Sequence, residues 1–128
     1  MRKQIIESLE APKPIGPYSH AVRLGDLVFS SGMIGIDPKN GELVKGGVRA
    51  ETHQVMENLA AVLRTGGASF AEVLRVTIYL TNLGDYPEVN EVYGSYFTSE
   101  PPARSTVQVA ALPRGAAVEI DAIASVGA

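Results

Sequence analysis

The chain has 128 residues and a formal net charge of −3, with 45% apolar and 20% charged residues. A chain of this length and balance buries one hydrophobic core, so we expect a single domain over residues 1–128. It has no cysteine, which excludes disulfides, a thiolate nucleophile and a Cys-type zinc site. The 11 basic residues are outnumbered by 14 acidic ones and lie scattered, so the charge pattern does not favour a nucleic-acid partner.

The N-terminus does not have the pattern of an export signal. Arg2 and Lys3 form a basic pair, but acids and prolines follow where a signal peptide requires an apolar stretch. No run approaches the roughly 18 apolar residues that cross a bilayer. We therefore expect no membrane role and a cytoplasmic location.

The first part of the chain predicts a loop followed by a hairpin. Three prolines in residues 10–17 lack an N–H and fix φ, which is typical of an extended loop. The apolar residues of His20–Ser31 flank a Gly25–Asp26 pair, the pattern of a β-hairpin. The turn residues at 37–41 predict a surface loop.

The spacing of the apolar residues changes in the middle of the chain. From Val48, apolar residues recur at three- and four-residue steps, which predicts an amphipathic helix ended by Gly66–Gly67. From Val73 to Thr81, apolar and polar residues alternate, which predicts a half-buried strand.

The last part of the chain predicts a second helix and two strands. Asp85 and Glu88 are spaced as the N-cap and N3 residues of a capping box, and we expect Glu100–Pro102 to end the helix that follows. Arg104–Ala111 and Ala117–Ser125 then each show one apolar and one polar face.

This order of elements predicts an α+β fold in which two helices cover one face of a mixed sheet. The second sheet face would then remain uncovered and partly apolar. Because such a patch normally marks an interface, we expect the chain to form an oligomer.

Two charged residues stand inside the apolar strands near the C-terminus. A charge in such a position must be paired or functional, and this applies to Arg104 and Glu119. If Ala111 pairs with Ala116 in a hairpin, both side chains lie on the same sheet face. The pattern alone leaves two interpretations open, a structural salt bridge at a solvated edge and a functional site.

The chemistry of these two side chains suits a small organic anion. A guanidinium binds a carboxylate through two parallel hydrogen bonds, and a carboxyl group transfers protons. Burial would raise the pKa of Glu119 towards the working range of a general acid or base, whereas a nearby Arg104 would lower it. The sequence does not decide between these effects.

Three further residues are candidates on weaker grounds. Tyr18 is presented by a stiff proline-rich segment, although it is equally consistent with a packed surface tyrosine. Ser31 and Gly32 at a strand end offer a hydroxyl and an accessible backbone N–H, although such a pair more often only turns the chain.

No metal or cofactor is expected. His20 and His53 lack the spacing of metal ligands. The glycine pairs at 46–47 and 66–67 do not match a phosphate-binding loop, which requires a lysine and a serine or threonine at its far end.

The chain resembles the RidA (YjgF-type) family of reactive intermediate deaminases along essentially its whole length. The most specific match is the run Pro102–Pro113 (PARSTVQVAALP) followed by Val118–Ala124 (VEIDAIA). Shorter matches occur in the expected order at Ile15–Tyr18, Ser30–Gly32 and Val89–Asn90.

The resemblance implies a chorismate-mutase-like α+β fold that assembles as a homotrimer, with the sheets forming a central barrel and three sites in the clefts between subunits. It also implies hydrolysis of 2-aminoacrylate-type enamines and of their imine tautomers, such as 2-iminopropanoate and 2-iminobutanoate. The products are a 2-keto acid and ammonia, and no cofactor is needed. The substrates arise from PLP-dependent dehydratases that act on serine or threonine.

By resemblance, Arg104 binds the substrate carboxylate, Glu119 positions or activates water and Tyr18 orients the substrate. Further substrate contacts are implied for Ser31, Gly32, Asn90 and Thr106.

Three positions depart from the family pattern. Thr106 stands where many members have cysteine, so thiol-based regulation would be absent while a backbone contact persists. His20 and Met33 replace common glutamines, which would change the substrate preference.

Two alternatives to the deaminase remain. The first is a non-catalytic module that binds a keto acid or similar small carboxylate through the same arginine. The second is a ribonuclease or translation inhibitor, a role suggested for some members, against which the acidic charge and the lack of a histidine pair argue.

Overall fold

The computed structural model describes residues 1–126 of the chain. The strands are β1 (Gln4–Ile6), β2 (Ala21–Leu24), β3 (Leu27–Ser30), β4 (Val73–Leu80), β5 (Ala103–Gln108) and β6 (Val118–Ser125). The α-helices are α1 (Gly47–Thr65) and α2 (Tyr86–Gly94), and short 3-10 turns occupy Phe70–Glu72, Leu83–Asp85 and Pro113–Gly115. The predicted α+β fold is confirmed.

The strands form one mixed sheet in the order β1-β2-β3-β6-β4-β5. The predicted hairpin is present, with β2 and β3 antiparallel around Gly25, whose φ of 59° suits glycine. β4 and β5 are parallel, and the other pairs are antiparallel. β1 was not predicted, because three residues are too few to show a period.

The core lies between the sheet and the two helices. Helix α1 begins and ends where its three- and four-residue period predicts, and it buries Val55, Met56, Leu59, Val62 and Leu63 almost completely. The alternating strands β4 and β6 present the other side of this core.

Two buried polar residues of α1 connect the helix to the rest of the fold, and the apolar period did not reveal them. Glu51 accepts a hydrogen bond from the backbone N–H of Ala117 at 2.8 Å. Asn58 donates to the carbonyl oxygens of Ile34 and Ile36 at 3.1 and 2.9 Å. Because a buried polar group without a partner is costly, these bonds fix the segment around residue 34 and the start of β6.

The second face of the sheet is uncovered and partly apolar, as predicted. Large apolar side chains on it are 39 to 54% exposed: Ile5, Leu24, Leu27, Phe29. Val107, on the edge strand β5, is 42% exposed on the same side. We refer to this surface as the open face.

Three predictions for the C-terminal half were wrong in detail. Helix α2 ends at Gly94 and not at Glu100, since Ser95 caps it with a hydroxyl bond to the Val92 carbonyl. The side chain of Asp85 makes no capping hydrogen bond. The penultimate strand ends at Gln108, three residues earlier than expected.

Within residues 1–126, neither helix has the length and apolar character to span a membrane.

Candidate functional site

Arg104 and Glu119 lie on opposite faces of the sheet. Arg104 is level with Val76 on the helix-covered face, whereas Glu119 is level with Tyr79 on the open face. The prediction that both share one face of a hairpin is therefore wrong. β4 lies between β5 and β6 in the sheet, so these two strands do not pair directly. The residues that share a face therefore differ from those that a β5–β6 hairpin would place together.

The guanidinium of Arg104 is held by residues of helix α2. It donates to Asn90 Oδ1 at 2.7 Å and to the hydroxyl of Tyr86 at 2.5 Å. It also lies 5.4 and 5.0 Å from the ring centres of Tyr86 and Tyr93, which adds cation–π attraction. All three partners are uncharged, and none of the ion pairs among residues 1–126 involves Arg104. The guanidinium is therefore oriented without being neutralised.

Tyr86 and Tyr93 are functional candidates that the sequence reasoning missed. Their positions relative to Asn90 follow the steps of four and three residues that place side chains on one helix face. The spacing of these three residues on one face of the helix, together with an arginine in the following strand, is the sequence signal that could have identified the two tyrosines.

Two polar atoms beside Arg104 are buried without a hydrogen-bond partner in the described part of the chain. They are the hydroxyls of Tyr93 and Thr106. Burial raises the pKa of Tyr93, and the charge of Arg104 opposes this rise. Native proteins usually satisfy such atoms, so both hydroxyls are free to bond a group outside the described residues.

The other predicted residues meet at a groove of about 300 Å³ on the far side of the sheet. Its lining includes Tyr18, Ser31, Gly32 and Glu119, together with apolar side chains such as Ile34. Three segments that are distant in sequence are thus brought together. Asn90, Arg104 and Thr106 form the separate group beside α2.

Local hydrogen bonds hold the walls of this groove. The hydroxyl of Ser31 donates to the Ser19 carbonyl at 2.6 Å, and the Ser31 N–H donates to the His20 carbonyl at 2.9 Å. The hydroxyl of Tyr18 accepts from the N–H of Ile15 at 3.2 Å. Ser31 therefore fixes the segment that carries Tyr18.

Gly32 makes room for the carboxyl group of Glu119. A Cβ at position 32 would overlap that carboxyl group, so this position accepts only glycine while Glu119 keeps its place. The sequence predicted the backbone accessibility of Gly32 but not the residue that uses the space.

The electrostatic surroundings of Glu119 favour its protonated form. Burial raises the pKa of Glu119, and the neighbouring carboxylate of Asp121 raises it further. Burial also raises the pKa of Asp121, opposed by a 3.1 Å hydrogen bond from the Tyr79 hydroxyl and by the charge of Arg75. Since Arg104 is on the other face, its lowering effect is not among the causes, and desolvation dominates.

Both histidines are occupied by structural contacts. His20 is buried, with Nδ1 accepting from the Ser8 N–H at 3.0 Å and Nε2 lying 2.6 Å from the Pro12 carbonyl oxygen. His53 contacts the hydroxyl of Tyr96 at 3.3 Å. Among residues 1–126, no group of three or more acidic, histidine or cysteine side chains is arranged to hold a metal ion.

Comparison with known proteins shows the family of the chain. The family described as endoribonuclease L-PSP matches residues 8–126. The chain belongs to this family, the RidA (YjgF-type) family.

Its relatives carry more than one name. The chain is 58% identical over 126 residues to Protein DfrA of Myxococcus xanthus, covering 97% of this chain and 96% of that one. It is 45% identical over 125 residues to the 2-iminobutanoate/2-iminopropanoate deaminase of Mus musculus, covering 98 and 91%. The crystal structure of E. coli TdcF with bound serine matches with a TM-score of 0.92 at 38% identity, covering 97 and 99%.

Proposed function

We propose that this protein hydrolyses reactive 2-enamine and 2-imine acids to 2-keto acids and ammonia, without a cofactor, at a site that two copies of the chain complete. Its substrates would be 2-aminoacrylate, 2-iminopropanoate and 2-iminobutanoate. Arg104 would bind the carboxylate with help from Asn90 and Thr106. Glu119 would manage the protons beside Tyr18, Ser31 and Gly32.

One observation carries this proposal: Arg104 is oriented by neutral partners and forms no ion pair among residues 1–126. A structural salt bridge would place a carboxylate against the guanidinium, but its hydrogen-bond partners are Asn90 and Tyr86. A cation that is fixed in place and left unpaired is suited to a planar carboxylate ligand. The unsatisfied hydroxyls of Tyr93 and Thr106 beside it are consistent with a missing neighbour.

Separation of the two groups supports a site between subunits. Within one chain, Arg104 and Glu119 face opposite sides of the sheet and cannot act on one small molecule. The open face offers apolar surface for association, and Arg104 lies on β5, the last strand in the sheet order. A homotrimer with the sheets forming a central barrel would bring Arg104 of one copy to Glu119 of the next.

The relatives support the class of reaction and of ligand. The Mus musculus relative is named as a deaminase of these two imines, and the E. coli structure contains serine, which is also a small α-substituted acid. Both similarities extend over nearly the whole chain.

The reaction requires little beyond orientation and proton transfer. An enamine first takes a proton at its terminal carbon and becomes an iminium. Water then adds to C2 while ionised Glu119 accepts its proton, and the protonated carboxyl returns that proton to the nitrogen. The C2–N bond then breaks and ammonia leaves while Glu119, ionised again, accepts the proton of the C2 hydroxyl, so that the C=O of the keto acid forms. One water is consumed, and the proton left on Glu119 replaces the one that solvent supplied to the enamine carbon. The raised pKa of Glu119 makes its carboxylate a stronger base than that of a free glutamate, and this assists the proton transfers.

The test generates 2-iminobutanoate or 2-iminopropanoate in situ and follows its disappearance. We expect the wild type to accelerate hydrolysis and Arg104→Ala to lower kcat/KM at least about 100-fold, since one partner of a carboxylate clamp is removed. The matched control is Arg64→Ala, which removes an exposed arginine paired with Glu10 and should keep full activity. Full activity of Arg104→Ala would contradict the proposal.

The same assay separates the deaminase from a non-catalytic keto-acid module. Such a module would use Arg104 to bind 2-ketobutanoate while leaving the imine untouched. The position of Glu119, against the Gly32 main chain and with a raised pKa, favours the enzyme. The endoribonuclease description of the family gains no support from the histidines, since His20 is buried in backbone contacts.

A further inference from the structure

We propose that Tyr79 is a positioning residue for proton transfer, because it holds the carboxylate of Asp121 beside Glu119 and so controls the pH at which Glu119 gains its proton. The inference rests on the proposed function of Glu119 and deepens it, since it names a residue outside the groove that tunes this group. Tyr79 lies on β4 and is not among the described residues that line the groove.

The side chains of Tyr79, Glu119 and Asp121 are neighbours on the open face of the sheet. In the antiparallel pairing of β4 with β6, Tyr79 is directly opposite Glu119, and Thr77 is opposite Asp121. Residues two positions apart on a strand point to the same face. Because opposite and diagonal neighbours on one face are close enough to interact, the tyrosine is within reach of both carboxyl groups.

The hydroxyl of Tyr79 anchors the carboxylate of Asp121. It donates to Oδ2 of Asp121 at 3.1 Å, and both side chains are partly buried. No ion pair among residues 1–126 involves Asp121. Arg75, on the same strand as Tyr79, donates from Nη2 to Oγ of Ser105 at 2.7 Å instead. The position of Asp121 therefore depends on the tyrosine hydroxyl.

The charge that Tyr79 anchors acts on the proposed proton carrier. Burial is the larger cause that raises the pKa of Glu119, and the charge of Asp121 is the second. Burial also raises the pKa of Asp121, and the hydrogen bond from Tyr79 opposes this rise. Tyr79 thus favours an ionised Asp121, and an ionised neighbour makes Glu119 more basic.

The remaining groups around Glu119 do not depend on β4. Tyr18 lines the same groove, and the Ser31–Gly32 segment beside it carries no titratable side chain. In the proposed assembly, Arg104 of a second copy would also face Glu119 and lower its pKa. Loss of one hydroxyl from β4 leaves all of these groups in place, so its effect on Glu119 is separable from theirs.

The experiment follows the titration of Glu119 in the full chain by carbon NMR of the side-chain carboxyl groups, with its resonance identified by its absence in Glu119→Gln. Tyr79→Phe removes the hydroxyl and keeps the ring. Asp121 then takes up a proton more readily, so the midpoint of Glu119 should move to lower pH. The matched control is Tyr96→Phe, which removes a hydroxyl that donates to the carboxylate of Glu57, also at 3.1 Å, and should leave the midpoint in place.

A double variant separates action through Asp121 from a direct effect of the tyrosine. Asp121→Asn alone should lower the midpoint of Glu119, and Tyr79→Phe added to it should change nothing further. The proposal is overturned if Tyr79→Phe leaves the midpoint in place or raises it, or if it lowers the midpoint equally in both backgrounds. Thermal unfolding and size-exclusion chromatography check that every variant keeps the fold and the assembly of the wild type.

Kinetics connect the titration with the proposed reaction. On the acidic limb, kcat of Tyr79→Phe relative to its own neutral plateau should be about three-fold higher than that of the wild type, because more of Glu119 is ionised. KM should not change, since Tyr79 is outside the described lining of the groove. A wild type that leaves imines untouched contradicts the proposed function but not the titration, whereas an active wild type without the shift contradicts the role of Tyr79 alone.

Discussion

The main chain of Gly32 lies against the carboxyl group of Glu119, so closely that a Cβ at position 32 would sit 2.7 Å from Cδ and 3.0 Å from Cγ of the glutamate. A Cβ essentially never lies closer than 3.0 Å to such an atom, so the contact with Cδ would force the carboxyl group to shift. The position of the proposed proton carrier therefore depends on a residue from a different part of the chain.

Gly32→Ala should lower kcat for imine hydrolysis about 100-fold, because a displacement of about 1 Å is enough for such a loss. The fold should survive, since the overlap is with the end of a side chain that can shift. Gly94→Ala is the control, because its Cβ would have no neighbour within 4 Å. Full activity of Gly32→Ala would show that the position of Glu119 is unimportant.

Asp121→Asn should move the acidic limb of the kcat profile to lower pH. The Asp121 carboxylate raises the pKa of Glu119, and removing that charge lets Glu119 ionise in more acidic solution. Asparagine retains an oxygen that can accept the hydrogen bond from Tyr79. Steady-state rates across the acidic and neutral range measure the shift, and a limb that stays in place or moves to higher pH would exclude Glu119 as the titrating base.

Glu119→Gln should raise the melting temperature at neutral pH although it abolishes activity. The pKa of Glu119 is higher in the folded protein than in the unfolded chain. The contribution of Glu119 to the free energy of unfolding is therefore fully present below the unfolded pKa, and it is lost as pH rises through the folded pKa. Glutamine does not ionise, so the gain should be present at neutral pH and vanish in acid. Thermal unfolding at both conditions measures it, with the exposed Glu42→Gln as control. A gain that is equal in acid and at neutral pH would contradict the raised pKa.

Tyr86→Phe should lower kcat/KM about ten-fold, the effect of losing one hydrogen bond to a charged group. The hydroxyl of Tyr86 accepts from Arg104 Nη2, and the ring that contacts the guanidinium remains in phenylalanine. Tyr96→Phe, which removes a hydroxyl that contacts Glu57 and His53 instead, is the control. If the two variants behave alike, the orientation of Arg104 by Tyr86 does not contribute to catalysis.

The elements that the sequence predicted well depend on local patterns. The β2–β3 hairpin around Gly25, the limits of α1 and the alternation of β4 all follow from neighbouring residues. The predicted end of α2 was too late. The prolines at 101 and 102 set only the last residue at which the helix could end, and Ser95 caps the helix earlier.

The sequence named residues that line the Glu119 groove but not their arrangement relative to Arg104, and their role as a functional site stays a prediction. Tyr18, Gly32 and Glu119 do meet in one groove. The prediction that Arg104 and Glu119 lie on the same sheet face was wrong, because the face on which a strand residue lies relative to another depends on which strands pair. Insertion of β4 between two strands that are consecutive in sequence is a long-range event that strand periodicity does not encode.

The most direct test of a site shared between two copies mixes two inactive variants. Arg104→Ala and Glu119→Gln are each expected to have almost no deaminase activity. If every site takes Arg104 from one chain and Glu119 from another, subunits unfolded together in equal amounts and refolded should regain about one quarter of the wild-type activity, because that fraction of interfaces joins the two intact residues. A mixture no more active than the separately refolded variants would contradict a site built from two chains.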